Sequence, residues 1–368
     1  MIPKLTPDRS LDDLTLAFLK TLELEGKFSG EIHADFPTRL IHATDNSVYQ
    51  VMPRAVLQPR QRNDINVVME LAGRAEFRRV KLTPRGGGTG TNGQSLNNTV
   101  IVDTSKYLNN IIDFDAQTGL VRVEPGVVLE QLNAWLKPHG FFFPPNVSTA
   151  NRATVGGMVG SDSSGKGSRI YGKTSHYIEK MTTVLVDGSD FVTSALDAEQ
   201  TAIEAAQKTR IGGVYRKIID EISPRRDQIK STFPEINRGL TGYNLKEAIG
   251  DDGASNLSFL IAGAEGSLGL TKEITFRVIR LPKYKALTVV RYASFDDALR
   301  HVGRLVAFDP IAIESIDDKV MKLAEQDESW HLLAKLLGTD GATIPTRGFN
   351  AVEFATDAAD ELAAQPRP

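Results

Sequence analysis

Only six residues, QSLNNT, stand between the glycine run PRGGGTGTNG (Pro84–Gly93) and the apolar segment VIVDT that follows it. Five glycines in ten residues give up backbone entropy that an ordinary turn does not require. Such a run lets the backbone come close to a partner with no side chains between, and clustered N–H donors favour an anion such as phosphate. Gly88, Gly90 and Gly93 satisfy G-x-G-x-x-G, yet a dinucleotide site of that kind must open a helix, and six residues leave no room for one. The loop therefore joins strand to strand, VKLTP before it and VIVDT after it. It reads as an anion cradle with Thr89 and Asn92 beside it; an irregular glycine turn without a ligand is the plainer alternative.

A second match meets the same objection. Gly167 to Thr174, GSRIYGKT, fits the phosphate-loop pattern G-x-x-x-x-G-K-[ST], and VLVD, ending at Asp187, resembles the metal-binding strand of an ATPase. A phosphate loop lies between a strand and a helix, whereas SDSSGKGS precedes this one and a strand soon follows. About a dozen residues to Asp187 are too few for a helix and crossover. No triphosphate site is expected, and an NTPase is the outside alternative.

The remaining pattern is α+β. Ser10 to Glu25 predicts an amphipathic helix with Leu11, Leu14, Phe18, Leu19 and Leu22 on one face, Ser10 and Asp13 as a capping box and Gly26 as a stop. AVLQP, a helix from Asn63 to about Phe77, and the two strands around the glycine loop form a compact unit. IIDFDAQTGLVRVEPG predicts a hairpin turning at Gln117, Thr118 and Gly119. VVLEQLNAWLKPHG predicts a helix stopped by Pro138 and Gly140. A polar loop from Gly156 to Gly172, a strand ending in VLVDG, two helices around 199–223 and the strand LTKEITFRVIRLP complete a second unit. Beyond Pro282 the order is strand, helix, strand, with AVEFATDAADELA as a further strand opening into a helix.

Composition limits the partners. Lys and Arg number 43 against 46 Asp and Glu, a net charge of −3 that favours neither nucleic acid nor an anionic membrane. No cysteine occurs, which removes disulfides, thiolate-held metal or iron–sulfur sites and a cysteine nucleophile from this chain and fits the cytosol. No apolar run approaches the length of a spanning helix. His33, His42, His139, His301 and His331 show no metal-ligand spacing, and a lone His176 reads first as a structural residue, so no metal is expected.

PRGGGTG, then ATVGGMVGSDSSGKGSRIYGKTSHYIEKMTTVLVDG, then AGAEGSLGLTKEITFRVIRLP come in the order and spacing of the FAD-linked oxidases with the PCMH-type (vanillyl-alcohol-oxidase-like) fold, over roughly residues 35–282. SSGKGSRIYGKTSHYI is similar to the large bacterial flavin and iron–sulfur dehydrogenases of D-2-hydroxyglutarate and related D-2-hydroxy acids. The resemblance implies an α+β PCMH-type FAD-binding fold of two α+β subdomains, about 35–107 and 108–282. A helical extension, 1–34, would precede it, and the start of an α+β cap or substrate domain, 283–368, would follow.

It implies FAD as cofactor, with Arg85, Gly86, Gly87, Gly88, Thr89, Gly90, Thr91 and Asn92 around its diphosphate. Pro144, Thr154, Gly157, Ser161, Ser163 and Ser164 would line the flavin, and Gly263, Glu265, Gly266 and Gly269 would lie near the nucleotide half. Relatives with covalent FAD commonly carry a histidine directly after the loop glycines; Thr89 stands there, so a non-covalent flavin is implied. The activity implied is oxidation of a D-2-hydroxy acid, with no catalytic base assignable. The electron acceptor would be outside the chain, such as an iron–sulfur domain, and the location cytoplasmic or peripheral to a membrane. The alternatives are an FAD-binding or cofactor-free module of the same fold without its own catalysis, or an oxidase of another alcohol. The chain is further expected to be truncated within the cap, leaving apolar faces near Val289, Leu305 and Val352 without partners.

Overall fold

The computed structural model describes residues 11–236, 238, 242–328, 330–337 and 346–360. It divides into two units: residues up to Gly165 together with Lys173–Ile279, and Lys166–Gly172 together with the chain from Arg280 onward.

The first unit holds two sheets. In the smaller, Ala55–Gln58 and Leu82–Arg85 both pair in parallel with Val100–Asp103, and Glu31–His33 adds antiparallel to Ala55–Gln58. Its two central strands are buried along their whole length and largely apolar, Ala55, Val56, Leu57, Val100, Ile101 and Val102 being fully buried, as strands covered on both faces must be. The helix Arg62–Gly73 buries Ile65, Val68, Met69 and Leu71 against this sheet. The helix Asp13–Leu24 places Phe18, Leu19 and Leu22 in the same core, with Phe18 edge-on to Phe77 at 5.5 Å. Its cap is Asp12, whose carboxylate accepts from Thr15 N at 2.9 Å; the expected Ser10 lies outside the described residues.

The larger sheet has six strands, in the order Ser255–Asn256, Asp190–Leu196, Ile178–Val184, Leu270–Arg277, Leu120–Val123, Ile111–Asp115. The hairpin at its edge turns as the sequence predicts: the Asp115 carboxylate accepts from Gln117 N and Thr118 Oγ1 at 2.8 and 2.7 Å, and Gly119 takes φ +70°. Leu129–Leu136 packs Leu129, Leu132 and Leu136 onto the sheet's core with Phe143 and Phe276. The two sheets are tied by Asn66 on the first-core helix. It donates to Gly188 O at 2.9 Å and accepts from Lys272 Nζ at 2.9 Å, while Lys272 also pairs with Asp190.

Two helices interrupt what the sequence presents as a continuous polar loop from 156 to 172. Val155–Gly160 forms because Val155, Met158 and Val159 share a buried face and Thr154 caps its N-terminus. That tertiary burial overrides three glycines in six residues. Ser168–Tyr171 is the other, and it lies in the second unit.

The second unit is a three-stranded antiparallel sheet, Tyr284–Tyr292, Gly348–Thr356, Ala312–Asp317, covered by the helix Phe295–Val306. Leu305 and Val352 are each 1% exposed and pack together with Phe354. The expectation of missing partners is therefore wrong for Leu305 and Val352, because the apolar side of 295–306 packs onto the sheet, while Val289 is half-buried. The helix expected after Thr356 falls mostly outside the described residues. Lys166 pairs with Glu353 and Arg169 with Asp309, which places the excursion Lys166–Gly172 in this unit.

Candidate flavin site

The glycine loop leaves the parallel strand Leu82–Arg85 and is pinned at its near end against the segment before the helix Val155–Gly160. A Cβ at Gly86 would stand 2.0 Å from Thr154 Oγ1, and one at Gly87 would stand 2.1 Å from Arg152 O, a backbone atom that cannot swing aside. The loop's other side stays open. Gly87, Thr91 and Asn92 are exposed, and among the described residues none accepts from the backbone N–H groups of Gly87, Gly88, Thr89, Gly90 or Thr91. Donors on this open side are left to solvent, and a consecutive run of them is a donor set that a diphosphate can take up.

The third motif closes on the first two. At Gly266, φ is +84° and a Cβ would stand 2.4 Å from Pro84 Cδ, at the root of the glycine loop. Gly263 N donates to Val159 O and Glu265 N to Gly160 O, both at 2.9 Å, so this turn is bonded to the C-terminal end of the helix Val155–Gly160. Glu265 itself has φ +51°, and burial pushes its carboxyl above the usual range. Gly269 packs against Val184 O. Three stretches far apart in sequence thus meet at one place.

Around this junction Gly157 and Ser161 are exposed. Ser161 Oγ donates to Gly157 O at 3.0 Å and lies 2.7 Å from Ser163 Oγ. Ser164 bridges to Lys173. Pro144 is buried beside Phe143, and the stretch after it reaches the second motif where Gly165 abuts Asn146 O.

Arg85 stands apart from the rest. Its guanidinium donates to Thr44 O at 2.7 Å and to His42 O and Ser95 Oγ at 3.4 Å. Burial lowers its affinity for the proton, countered by Asp103 and Asp45. Arg85 therefore fastens the loop to a strap, Ala43–Val51, that the sequence did not single out. Asn46 N donates to Gly88 O at 3.0 Å, Ser95 Oγ to Asp45 at 3.0 Å, and Tyr49 lies beside Gly93. Beneath the strap, burial would raise Asp103, but hydrogen bonds from His42 and Ser105 outweigh it and hold the carboxyl low.

A second polar group surrounds the segment after Gly172. Lys173 Nζ pairs with Asp162 at 2.8 Å, and Thr174 donates from N and Oγ1 to Ser163 O at 3.0 and 2.7 Å. A hydrogen bond from His176, together with one from Asn244, pulls Glu247 down to about 2 against burial. These residues were missed as a group because their neighbours in space come from separate turns. Among the described residues, no three His, Asp or Glu side chains stand together as a metal site, and no helix is long and apolar enough to cross a membrane.

An α+β pair of subdomains with a glycine-walled, amide-lined loop between strands defines the PCMH-type FAD-binding fold, and comparison with known proteins agrees. The family model for the FAD binding domain matches residues 53–194. The chain is 45% identical over 348 residues to the D-2-hydroxyglutarate dehydrogenase of Pseudomonas putida, covering 95% of this chain and 34% of that protein. It is 41% identical to the enzyme of the same name from Escherichia coli, covering 97% and 35%. A solved alkyldihydroxyacetonephosphate synthase superposes with a TM-score of 0.65 at 16% identity, over 93% of this chain and 56% of that one, a likeness of fold alone. The chain carries a PCMH-type FAD-binding domain homologous to the bacterial D-2-hydroxyglutarate and D-2-hydroxy acid dehydrogenases, and it spans about a third of the length of those relatives. These residues fit the cofactor: amides without an acceptor among the described residues for the diphosphate, close-packed glycines, and hydroxyls at the end of a short helix.

Proposed function

We propose that this chain is the FAD-holding part of a D-2-hydroxy acid dehydrogenase, of the D-2-hydroxyglutarate or D-lactate type, and that it binds FAD without turning substrate over by itself. The amides of Gly87 to Thr91, without an acceptor among the described residues and walled by glycines that press on Arg152 and Thr154, carry this reading. When bound, FAD supplies the acceptor for the two electrons leaving the hydroxyl-bearing carbon. The chain's own residues bind and orient. The loop amides receive the diphosphate, Ser161 and Ser163 offer hydroxyls to the ring's polar edge, and Gly157 lets the ring approach the backbone. With Thr89 after the loop glycines, attachment is non-covalent. Oxidation also needs a base for the hydroxyl proton and a cation for the substrate carboxylate. Of the cations beside the motifs, Arg85 and Lys173 are engaged by carbonyls and a carboxylate, while Arg238 Nε donates to Ser164 Oγ at 3.1 Å.

The test is reconstitution. Apoprotein mixed with FAD and desalted is expected to show one flavin spectrum per chain, with the flavin released by acid precipitation. Added anaerobically, D-2-hydroxyglutarate or D-lactate is expected to bleach it very slowly or not at all. Absence of retained flavin contradicts the binding reading. Flavin remaining in the acid pellet contradicts non-covalent attachment, and rapid bleaching shows that the catalytic groups lie within these residues.

A further inference from the structure

The phosphate-loop look-alike supplies a lysine that the binding reading does not use. Lys173 is 8% exposed, and its ammonium meets the Asp162 carboxylate at 2.8 Å. The other carboxylate oxygen of Asp162 accepts from Ser175 N at 2.9 Å. Asp162 has φ +43°, a left-handed conformation that a non-glycine residue adopts only where its surroundings hold it there. It sits between Ser161 and Ser163, whose hydroxyls are 2.7 Å apart, and its Cβ lies against Gly263 of the third motif. The chain leaves the first unit after Gly165 and returns to it at Lys173, where the Ser164–Lys173 bridge and the two bonds from Thr174 to Ser163 O close the base of the excursion. The ion pair fastens this turn at Asp162, and Arg238 Nε adds a hydrogen bond to Ser164 Oγ at 3.1 Å.

We propose that Lys173 and Asp162 are a positioning pair: acting through the turn between them, they set the direction of the Ser161 and Ser163 hydroxyls toward the FAD. This rests on the reading that Ser161–Ser164 lines the flavin. A buried ion pair is a poor source of stability compared with apolar residues of similar volume, so a pair kept here at a strained turn has its use in geometry. The pair also accounts for the lysine in GSRIYGKT: its ammonium faces a carboxylate, which would repel a triphosphate.

The test compares Lys173→Met, Asp162→Asn, the double variant and Lys173→Arg in the full chain. Each single variant leaves one buried group unpaired and is expected to melt below the wild type. Lys173→Met/Asp162→Asn leaves no uncompensated charge, and asparagine tolerates positive φ, so the double variant is expected to keep nearly wild-type melting. Its FAD dissociation constant is nonetheless expected to rise at least tenfold, and at saturating FAD the visible circular dichroism of the bound flavin is expected to change in shape. Lys173→Arg is expected to recover most of both. A double variant with wild-type melting, FAD affinity within twofold of wild type and an unchanged flavin dichroism overturns the proposal. So does a double variant that fails to fold while Lys173→Arg binds FAD no better than Lys173→Met. If the wild type retains no FAD, the binding reading fails and not this pair.

Discussion

Gly87→Val is expected to weaken FAD binding at least a hundredfold while leaving the chain folded. The added Cβ would lie 2.1 Å from Arg152 O and 3.0 Å from its carbonyl carbon. Both are backbone atoms of the segment leading into the helix Val155–Gly160, which is anchored by Val155 and Met158 in the larger core. The partner cannot yield, so the loop must lift away. The amides from Gly87 to Thr91 then lose their common direction, and a hundredfold loss is about 2.8 kcal/mol, within reach of a few misdirected hydrogen bonds to a charged group. The small sheet's core, built on Val56, Leu57, Ile101 and Val102, does not include the loop, so far-UV circular dichroism should match the wild type. Thr91→Val, on the exposed side of the same loop, is the control and should change affinity by less than about threefold, since it removes a hydroxyl but no amide. Titration of flavin fluorescence measures both. Wild-type affinity in a folded Gly87→Val chain would remove this loop from the site.

The largest expected effect on stability is at Phe276. It lies on the strand Leu270–Arg277, which bonds to a neighbour on each side, and it is fully buried. Its ring is centred 4.5 Å from that of Phe143, which in turn meets Tyr177 edge-on at 5.7 Å. Between two paired strands the backbone has little freedom to collapse into the space left by truncation. Phe276→Ala should therefore cost about 3–5 kcal/mol. At roughly 2–4 °C per kcal/mol for a unit of this size, the melting temperature should fall by roughly 6–20 °C. The same core carries Met158 and Val159, so the short helix at the flavin site should loosen with it. Phe276→Leu, which keeps most of the volume, should cost less than half as much. A loss below about 1 kcal/mol on urea titration would mean that this core is not as close-packed as its burial indicates.

What could be read from sequence was what is settled locally. The hairpin at Asp115–Gly119 was legible because one carboxylate and one glycine determine it over five residues. The glycine loop was legible as an anion cradle because the short connection to Val100 excluded a helix. Other features depend on partners distant in the chain. The helix Val155–Gly160 is poor in propensity and forms because Gly156 fits against Pro125 and its apolar residues meet a core assembled elsewhere. Arg85 looked like a phosphate ligand in PRGGG, yet its donors go to carbonyls of residues some forty positions earlier. The excursion Lys166–Gly172 could not be assigned to the second unit, since Glu353 and Asp309 give no local sign of their pairing with Lys166 and Arg169. Asp162 and Lys173 were each visible in a motif, but only the fold brings their charges together.

The central claim is that three separate segments form one FAD site, and hydrogen–deuterium exchange with and without FAD tests it most directly. Added FAD is expected to protect the amides of Gly87–Thr91 most strongly, because they have no acceptor among the described residues in its absence. Protection should extend to Gly157–Ser164 and to Gly263–Gly269 at the same FAD concentration, with little change in the strands Tyr284–Tyr292 and Gly348–Thr356. Protection confined to one of the three segments, or found only in those two strands, would contradict the site described.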